Sequence, residues 1–481
     1  MLGKSGREQQ GWTMLGPLRE HIPDDYPLVR IDAVLDLSWV EDEVAHLYSS
    51  KTGRPSIAPE SALRLMLAGL IVGIVHDRKL LREAEVNLAI RWFAGYGLND
   101  KLPDHSTLTR IRQRWGPELF KRLFLKTVQQ CIDAGLVDGS VLHVDATLVR
   151  ADASVRSFVE SHADQVLEEN VTGDAEDDDG DDAKPSDKKP SRPRKRKQKP
   201  VKKSTTDPDS SLQSWKRMYP PEPSYKVHAA MDGQAGVVVD VDVTTGAVNE
   251  GKQLLRQLDR SEANAGQRFG TVTADAGYAG SENYAALEEQ GIDALIVPQP
   301  VPRNGRGIRA CQFRYDAKHD RVVCPRKREL HRSYRQKNGW VYRSRASDCE
   351  TCDLRRRCFS ARGRYRTVSI TDGHGALLRA RRRQRRRKVQ EHPEYLSHKN
   401  RIEGLFGEAK CRHGLGRAVR RGLWNVSIQA FLTVAAINLK RLVTASKAYL
   451  MRFRAPCKAL CGSPGALVAR IPTMGQPQLA A

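Results

Sequence analysis

The chain has 481 residues, long enough for about two to four domains with sizeable cores. Lysine and arginine total 80 against 57 acidic residues, a formal charge of +23, and this excess points to a polyanionic partner, nucleic acid first. The longest apolar run, Leu65 to Val75, is too short to span a bilayer, so a membrane role is not expected.

The N-terminal stretch MLGKSGREQQGWTMLGPLREHIPDDYP lacks the apolar centre of a signal peptide. A cytoplasmic, nucleoid-associated protein with reduced cysteines is the expectation. Residues 55–125 read as helices. PSIAPESALRLMLAGLIVGIV opens on proline and serine start signals and continues apolar, as a buried helix does. In PDHSTLTRIRQRWG, Asp104 or Ser106 can cap a short basic helix. Arg110, Arg112 and Arg114 on that helix are candidates for DNA phosphate or groove contact, and an ordinary surface helix fits the pattern equally. Residues 1–135 are assigned to this helical, DNA-binding domain.

GSVLHVDATLVRADAS changes character: Val141, Leu142, Val144, Leu148 and Val149 are strand formers around Asp145. Residues 136–167 open an α/β core. Residues 168–210 are an acidic block followed by a basic, proline-rich one, too poor in apolar residues to support a core, and are expected to be a disordered linker. The core resumes over 211–304. SYKVHAAMDGQAGVVVDVDVTTG reads as a hairpin and NEGKQLLRQLDRSEANAG as a helix. TVTADAGY is a strand ending at Asp275, SENYAALEEQG a helix and DALIVP another strand, an order that describes a mixed sheet with helices on its faces.

Residues 305–370 form an insert carrying Cys324, Cys349, Cys352 and Cys358. The C-x-x-C pair with two further thiols is a structural Zn²⁺ pattern, so a small zinc-ribbon-like module is expected, with His331 able to replace one thiol. Residues 371–445 supply three further helices, one very basic (ALLRARRRQRRRKVQ) and the last strongly apolar, and 446–481 a tail.

An acid embedded in a strand, as Asp145 is, needs a cation, a hydrogen-bond network or solvent. Asp275 sits where a strand meets a glycine turn, the place where ligands bind in open α/β sheets. In a basic protein the two together point to a hard cation such as Mg²⁺. HVDATLV, TADAGYAG and NRIEGLFGEAKCRHGLGRAVRRGLWNVSIQAFLTVAAINLKRL resemble the three acidic motifs of DDE-type insertion-sequence transposases. The helical segment PSIAPESALRLMLAGL through DHSTLTRIRQRWG and the strand YKVHAAMDG are similar to other parts of the same proteins. The resemblance covers most of residues 50–445. It implies an RNase H-like mixed sheet flanked by helices, a divalent metal such as Mg²⁺ or Mn²⁺ as cofactor, and cleavage and strand transfer of double-stranded transposon DNA; because two DNA ends must be paired, a homodimer is expected. It maps the first acid to Asp145, the second to Asp275 and the third to a glutamate after the insert.

That glutamate is Glu403 or Glu408. At helical spacing Lys399, Glu403, Phe406 and Lys410 share a face, and Glu408 lies well round from it. Glu403, with Lys399 and Lys410 beside it to hold phosphates, is the preferred third acid. Family members often carry a tyrosine and an arginine where this chain has Leu396 and Lys399, whereas the expected downstream lysine is present as Lys410. Two other readings remain at this stage, a catalytically silent transposase-derived DNA-binding protein and an RNase H-fold nuclease.

Overall fold

The computed structural model describes residues 16–49, 56–160, 202–214, 219–300, 308, 312–316, 318–358 and 363–454. The N-terminal third is helical: α1 (Pro27–Asp32), α2 (Val40–Ala45), α3 (Pro59–Ile71), α4 (Asp77–Val86), α5 (Leu88–Phe93) and α6 (His105–Asp133). Helix α3 is the apolar run anticipated above, buried at Ala62, Leu63 and each residue from Leu65 to Ile71. Asp104 caps α6, accepting from the Ser106 amide at 2.8 Å. This helix does not stop at Gly116. That glycine takes φ +73° ahead of Pro117, so the chain kinks and continues to Asp133.

The sheet strands are β1 (Val141–Arg150), β4 (Ser211–Gln213), β5 (Glu222–Asp232), β6 (Val238–Thr245), β7 (Thr271–Ala274) and β8 (Asp293–Ile296); β2 (Phe158–Glu160) and β3 (Lys202–Ser204) form a separate small ribbon. Across the main sheet the order is β6-β5-β1-β7-β8, with β4 extending the β5 edge. The expected hairpin is β5–β6; β5 runs antiparallel to β1, with Asp145 opposite Ala229. Strand β1 is parallel to β7, with Leu142 opposite Val272, and β7 is parallel to β8. Helices α7 (Leu254–Ala265) and α8 (Ser281–Glu289) make the crossovers. The helix expected from residue 249 starts late, because Glu250–Lys252 form a 3₁₀ turn first.

Most of the expected linker lies outside the described residues, but 202–210 are ordered. Strand β3 pairs with β2, and the two aspartates that follow are put to structural use. Asp207 is fully buried and accepts from the Tyr225 hydroxyl and, at 3.3 Å, from the Gly422 amide. Asp209 accepts from the Leu423 amide at 2.9 Å, at the start of the last helix, where an anion is favoured.

The insert folds as an antiparallel sheet of β9 (Arg314–Asp316), β10 (Arg321–Val323), β11 (Glu329–Gln336), β12 (Gly339–Arg343) and β13 (Thr367–Thr371), with short helices α9 (Ala346–Glu350) and α10 (Arg355–Cys358). It has its own small core of Ile308, Phe313, Val322, Leu330, Tyr342, Val368 and Ile370. Then come α11 (His374–Arg386), α12 (Pro393–Arg412) and α13 (Leu423–Arg454). Helix α13 extends past the expected tail boundary at 446. By length and composition Leu423–Ala445 could cross a membrane, yet it is a core helix, buried at Val426, Leu432, Ala435, Ile437 and Leu439 and stacking Phe431 on Phe124 of α6.

Two ion-pair groups, the first centred on a buried carboxylate and the second on a half-buried one, tie distant segments together. Asp77 on α4 accepts both guanidinium nitrogens of Arg112 at 2.7 and 2.9 Å, and also pairs with Arg420. The Arg112 side chain is only 8% exposed. It is therefore not free to meet DNA, a correction to its expected role, because its planar fork matches the buried carboxylate. Arg110 is exposed and Arg114, also exposed, lies 4.6 Å from the Tyr48 ring centroid. The second group is Glu408, which bonds Lys440 at 3.1 Å and Arg441 at 2.8 Å, with His413 at 3.7 Å, and so locks α12 to α13. Glu408 is thus an ion-paired carboxylate and not a solvated surface charge.

Replacing Asp77 by Asn leaves two guanidinium groups uncompensated and is expected to cost about 3–5 kcal/mol, read as a lower denaturation midpoint. His413, then Arg441 and Lys440, hold the Glu408 carboxyl well below its usual range. A depressed carboxyl contributes stability above its unfolded pKa and loses it as pH falls through the folded one. Glu408→Gln should therefore cost about 1–3 kcal/mol near neutral pH. The gap from wild type in thermal unfolding should narrow as pH drops below the ordinary glutamate value of 4.5.

Candidate active site on the acidic sheet edge

Strands β1 and β7 are adjacent and parallel, so Asp145 within β1 and Asp275 just beyond β7 reach the same side of the sheet. Asp145 accepts from the Ala146 amide at 2.7 Å. Asp275 caps the 3₁₀ turn Ala276–Tyr278, accepting from Gly277 at 2.7 Å. A third acid joins them, Glu250, from the 3₁₀ turn between β6 and α7. Donor atoms of Asp145, Glu250 and Asp275 all lie within 4.8 Å of one another.

This crowding shows in the proton affinities. Burial, followed by the charges of Asp275, Glu250 and Glu403, pushes Asp145 up to about 7 against the pull of the Ala146 amide. Partial burial and Glu250 raise Asp275 as well. A set of close carboxylates that disfavour one another's ionisation fits a hard divalent cation, which takes oxygen ligands and offsets their charge.

Glu403 is exposed on α12. It stands outside the 4.8 Å group, but its charge acts on Asp145. Lys410, seven residues on, also feels Asp145, although burial lowers its own proton affinity. Lys399 is exposed on the same helix. Leu396 is 54% exposed. The tyrosine on this helix is one position earlier: partial burial, then Asp275 and Asp145, raise the Tyr395 hydroxyl.

Beneath the acids, α12 is pinned to the sheet by buried polar groups. The Thr273 hydroxyl bonds His143 Nδ1 at 2.6 Å and His398 Nδ1 at 2.9 Å, joining β7, β1 and α12. Burial lowers His143 to about 3 and His398 to about 4, so both are neutral near pH 7. These residues fix where Glu403 stands. Neither they nor Glu250 is marked in the sequence, because neither polar residues inside an apolar strand nor an acid in a turn has a periodic signature.

The thiols behave differently. Cys324, Cys349, Cys352 and Cys358 are free and line one cavity in the insert. The Arg328 amide donates to Cys324 Sγ at 3.4 Å, across a turn with Lys327 at φ +60°, and the Cys352 amide donates to the Cys349 carbonyl at 3.4 Å. Burial raises the Cys358 thiol, with Cys349, Cys352 and Cys324 adding to the effect and Arg366 opposing it. His331 is exposed on β11 and does not line this cavity. Among the described residues the carboxylates, not the thiols, already lie at closely matched separations.

Two family models match the chain: a transposase domain (DUF772) over residues 17–114 and a transposase DDE domain over 323–443. No curated protein matches it. Among solved structures it is similar to the piggyBac transposase synaptic complex with hairpin DNA at 10% identity and TM-score 0.29, covering 89% of this chain and 81% of that one. It is also similar to the Mos1 transposase paired-end complex with left transposon end, at 11% identity and TM-score 0.16, covering 51% of this chain and 61% of that one. For the Mos1 mariner paired-end complex with Mn the values are 12%, 0.15, 58% and 70%. Both family matches are to transposase domains, and they bracket the acidic sheet in sequence, so the chain carries the domains of a DDE-type transposase.

Proposed function

We propose that this transposase is encoded by an insertion sequence, binds its terminal repeats as a homodimer in the cytoplasm, and cleaves and transfers DNA strands with Asp145, Asp275 and Glu403 as its DDE residues. The observation that carries the reading is the placement of Asp145 and Asp275 side by side just past the parallel pairing of β1 and β7, with Glu403 near enough to act on Asp145. The strand order, three antiparallel strands followed by two parallel ones, is what an RNase H-like core requires.

Mg²⁺ or Mn²⁺ at these carboxylates would supply Lewis acidity and lower the pKa of an attacking water or 3′-hydroxyl. Around it the chain's own groups hold the DNA. Lys410 sets a point charge near Asp145, and Lys399 extends the same basic helix toward the backbone. On α11, Arg379 and Arg383 dock the helix by pairing with Glu288 and Asp293 at 2.6 and 2.7 Å. That leaves Arg382, Arg385 and Arg386 exposed for phosphates. Arg110 and Arg114 take the same role on α6. Pairing two transposon ends needs two copies of the chain.

In the insert, Cys324, Cys349, Cys352 and Cys358 hold a structural Zn²⁺ in a ribbon-like module. Their shared cavity and the amide-to-sulfur bond at Cys324 support this.

Two measurements test these assignments. Glu403→Gln should reduce metal-dependent cleavage of terminal-repeat DNA by about 100-fold or more, with folding and end binding intact, while Glu408→Gln still cleaves. The opposite pattern overturns Glu403 as third acid, and cleavage of any duplex without strand joining would make the protein a nuclease. Elemental analysis should find one zinc per chain in wild type and none in the Cys349→Ser/Cys352→Ser double variant, whose insert loses protease resistance. Metal-free wild type with an ordered insert overturns the zinc site.

A further inference from the structure

We propose that Glu250 is a fourth acidic residue of the active site: with Asp145 and Asp275 it binds one divalent cation from the sheet side, before and without Glu403. This rests on the reading above of Asp145 and Asp275 as metal ligands.

The geometry singles Glu250 out. Its carboxylate is within 4.8 Å of both aspartates, a group that does not include Glu403. Metal–oxygen distances of about 2.1–2.5 Å bridge such a span with small side-chain movements. The two oxygens of Glu250 are used differently. Oε1 pairs with Lys226 at 2.9 Å, whereas Oε2 faces Gly277. A Cβ built on Gly277 would sit 2.9 Å from Asp275 Oδ1 and 3.5 Å from Glu250 Oε2. The glycine thus keeps open the space between these two carboxylates.

The turns carrying Glu250 and Asp275 are also built as one unit. The buried Asn283 side chain donates to the Gly251 carbonyl at 2.8 Å and to the Tyr278 carbonyl at 2.9 Å. A Cβ on Gly251 would meet the Gly277 carbonyl at 2.9 Å, so only glycine lets the turns approach this closely. Such a fixed placement exceeds what neutralising Lys226 would require, since Lys226 also donates to the Val248 carbonyl at 2.9 Å.

An independent feature points to a ligand. Tyr278 is fully buried, and its hydroxyl has no hydrogen-bond partner among the described residues. The charges acting on that hydroxyl are those of Asp145, Glu250 and Asp275. A buried hydroxyl without a partner is costly. The charges it feels are those of the carboxylate cluster, where a ligated water or a carboxylate drawn in by the cation would satisfy it.

The test is Mn²⁺ binding to the full chain without DNA, dialysed free of Mg²⁺ and Mn²⁺ with its zinc left in place, followed by electron paramagnetic resonance. Mn²⁺ prefers oxygen donors, so the thiols of the insert do not compete for it. Glu250→Gln is expected to weaken binding about 10-fold or more, as Asp145→Asn does, while Glu403→Gln shifts it by less than about threefold. Lys226→Met, which removes the ion pair to Glu250 together with the hydrogen bond to the Val248 carbonyl, should bind Mn²⁺ at least as tightly as wild type. If Glu250→Gln binds like wild type and Asp145→Asn does not, Glu250 is no ligand and the reading of Asp145, Asp275 and Glu403 stands. If Asp145→Asn also binds like wild type, that reading falls and this proposal with it. Should Glu250→Gln fail to fold, as judged by near-ultraviolet circular dichroism, Glu250→Asp decides. It keeps the charge on a side chain one methylene shorter, so weakened binding supports the proposal and unchanged binding overturns it.

Discussion

Mutual repulsion among carboxylates is the constraint around which this structure is arranged. Asp145, Glu250 and Asp275 converge to within 4.8 Å, and like charges that close disfavour one another by a few kcal/mol per pair even at a moderate effective dielectric. A chain left to relax would spread them apart. Several unyielding features oppose that: the parallel pairing of β1 with β7, the two 3₁₀ turns clamped by Asn283, and the Thr273 bridge between His143 and His398. Strain of this kind persists only where the surroundings over-determine it, and it prepares the site for a cation.

The rest of the chain supplies that rigidity. Helix α13 fills the space between the sheet and the N-terminal helices, and Glu408 joins it to α12, so the helix bearing Glu403 is held from below by histidines and from its far end by ion pairs. Asp77 gathers Arg112 and Arg420, fastening the N-terminal helical domain to the segment that leads into α13. Buried pairs of this type add little net stability compared with an apolar core, but removing one partner is expensive. They therefore specify which surfaces meet. The carboxylate cluster belongs to a strongly basic protein, whose exposed cations include Arg382, Arg385 and Arg386 on α11 and Lys399 on α12.

Fold class and the order of elements were legible in the residues. Alternating apolar strands, capped helices and the hairpin all have local causes, as with Asp104 capping α6 and the glycine turn joining β5 to β6. Local reasoning failed where a local signal had a non-local answer. The short basic helix expected after Asp104 is only the first part of α6, which kinks at Gly116 and continues to Asp133, with Phe124 stacked on Phe431 of α13. Asp207 and Asp209 looked like part of a charged linker, but they satisfy the Tyr225 hydroxyl and the first amides of the last helix.

At the site the division is similar. The sequence alone determined that Asp145 and Asp275 belong at strand positions suited to a cation, and that Glu403 and Glu408 occupy different helix faces, since strand and helix periods are properties of the backbone. It could not determine which face meets the sheet, that Arg112 would be consumed by Asp77, or that an acid in a turn would join the two aspartates. Those outcomes depend on contacts between residues such as Asp145 and Glu250, or Asp77 and Arg420, that are far apart in the chain. Only the packed tertiary structure decides which buried charges find partners and which are left to bind an ion, because burial makes an unpaired charge costly and no local pattern records where burial will occur.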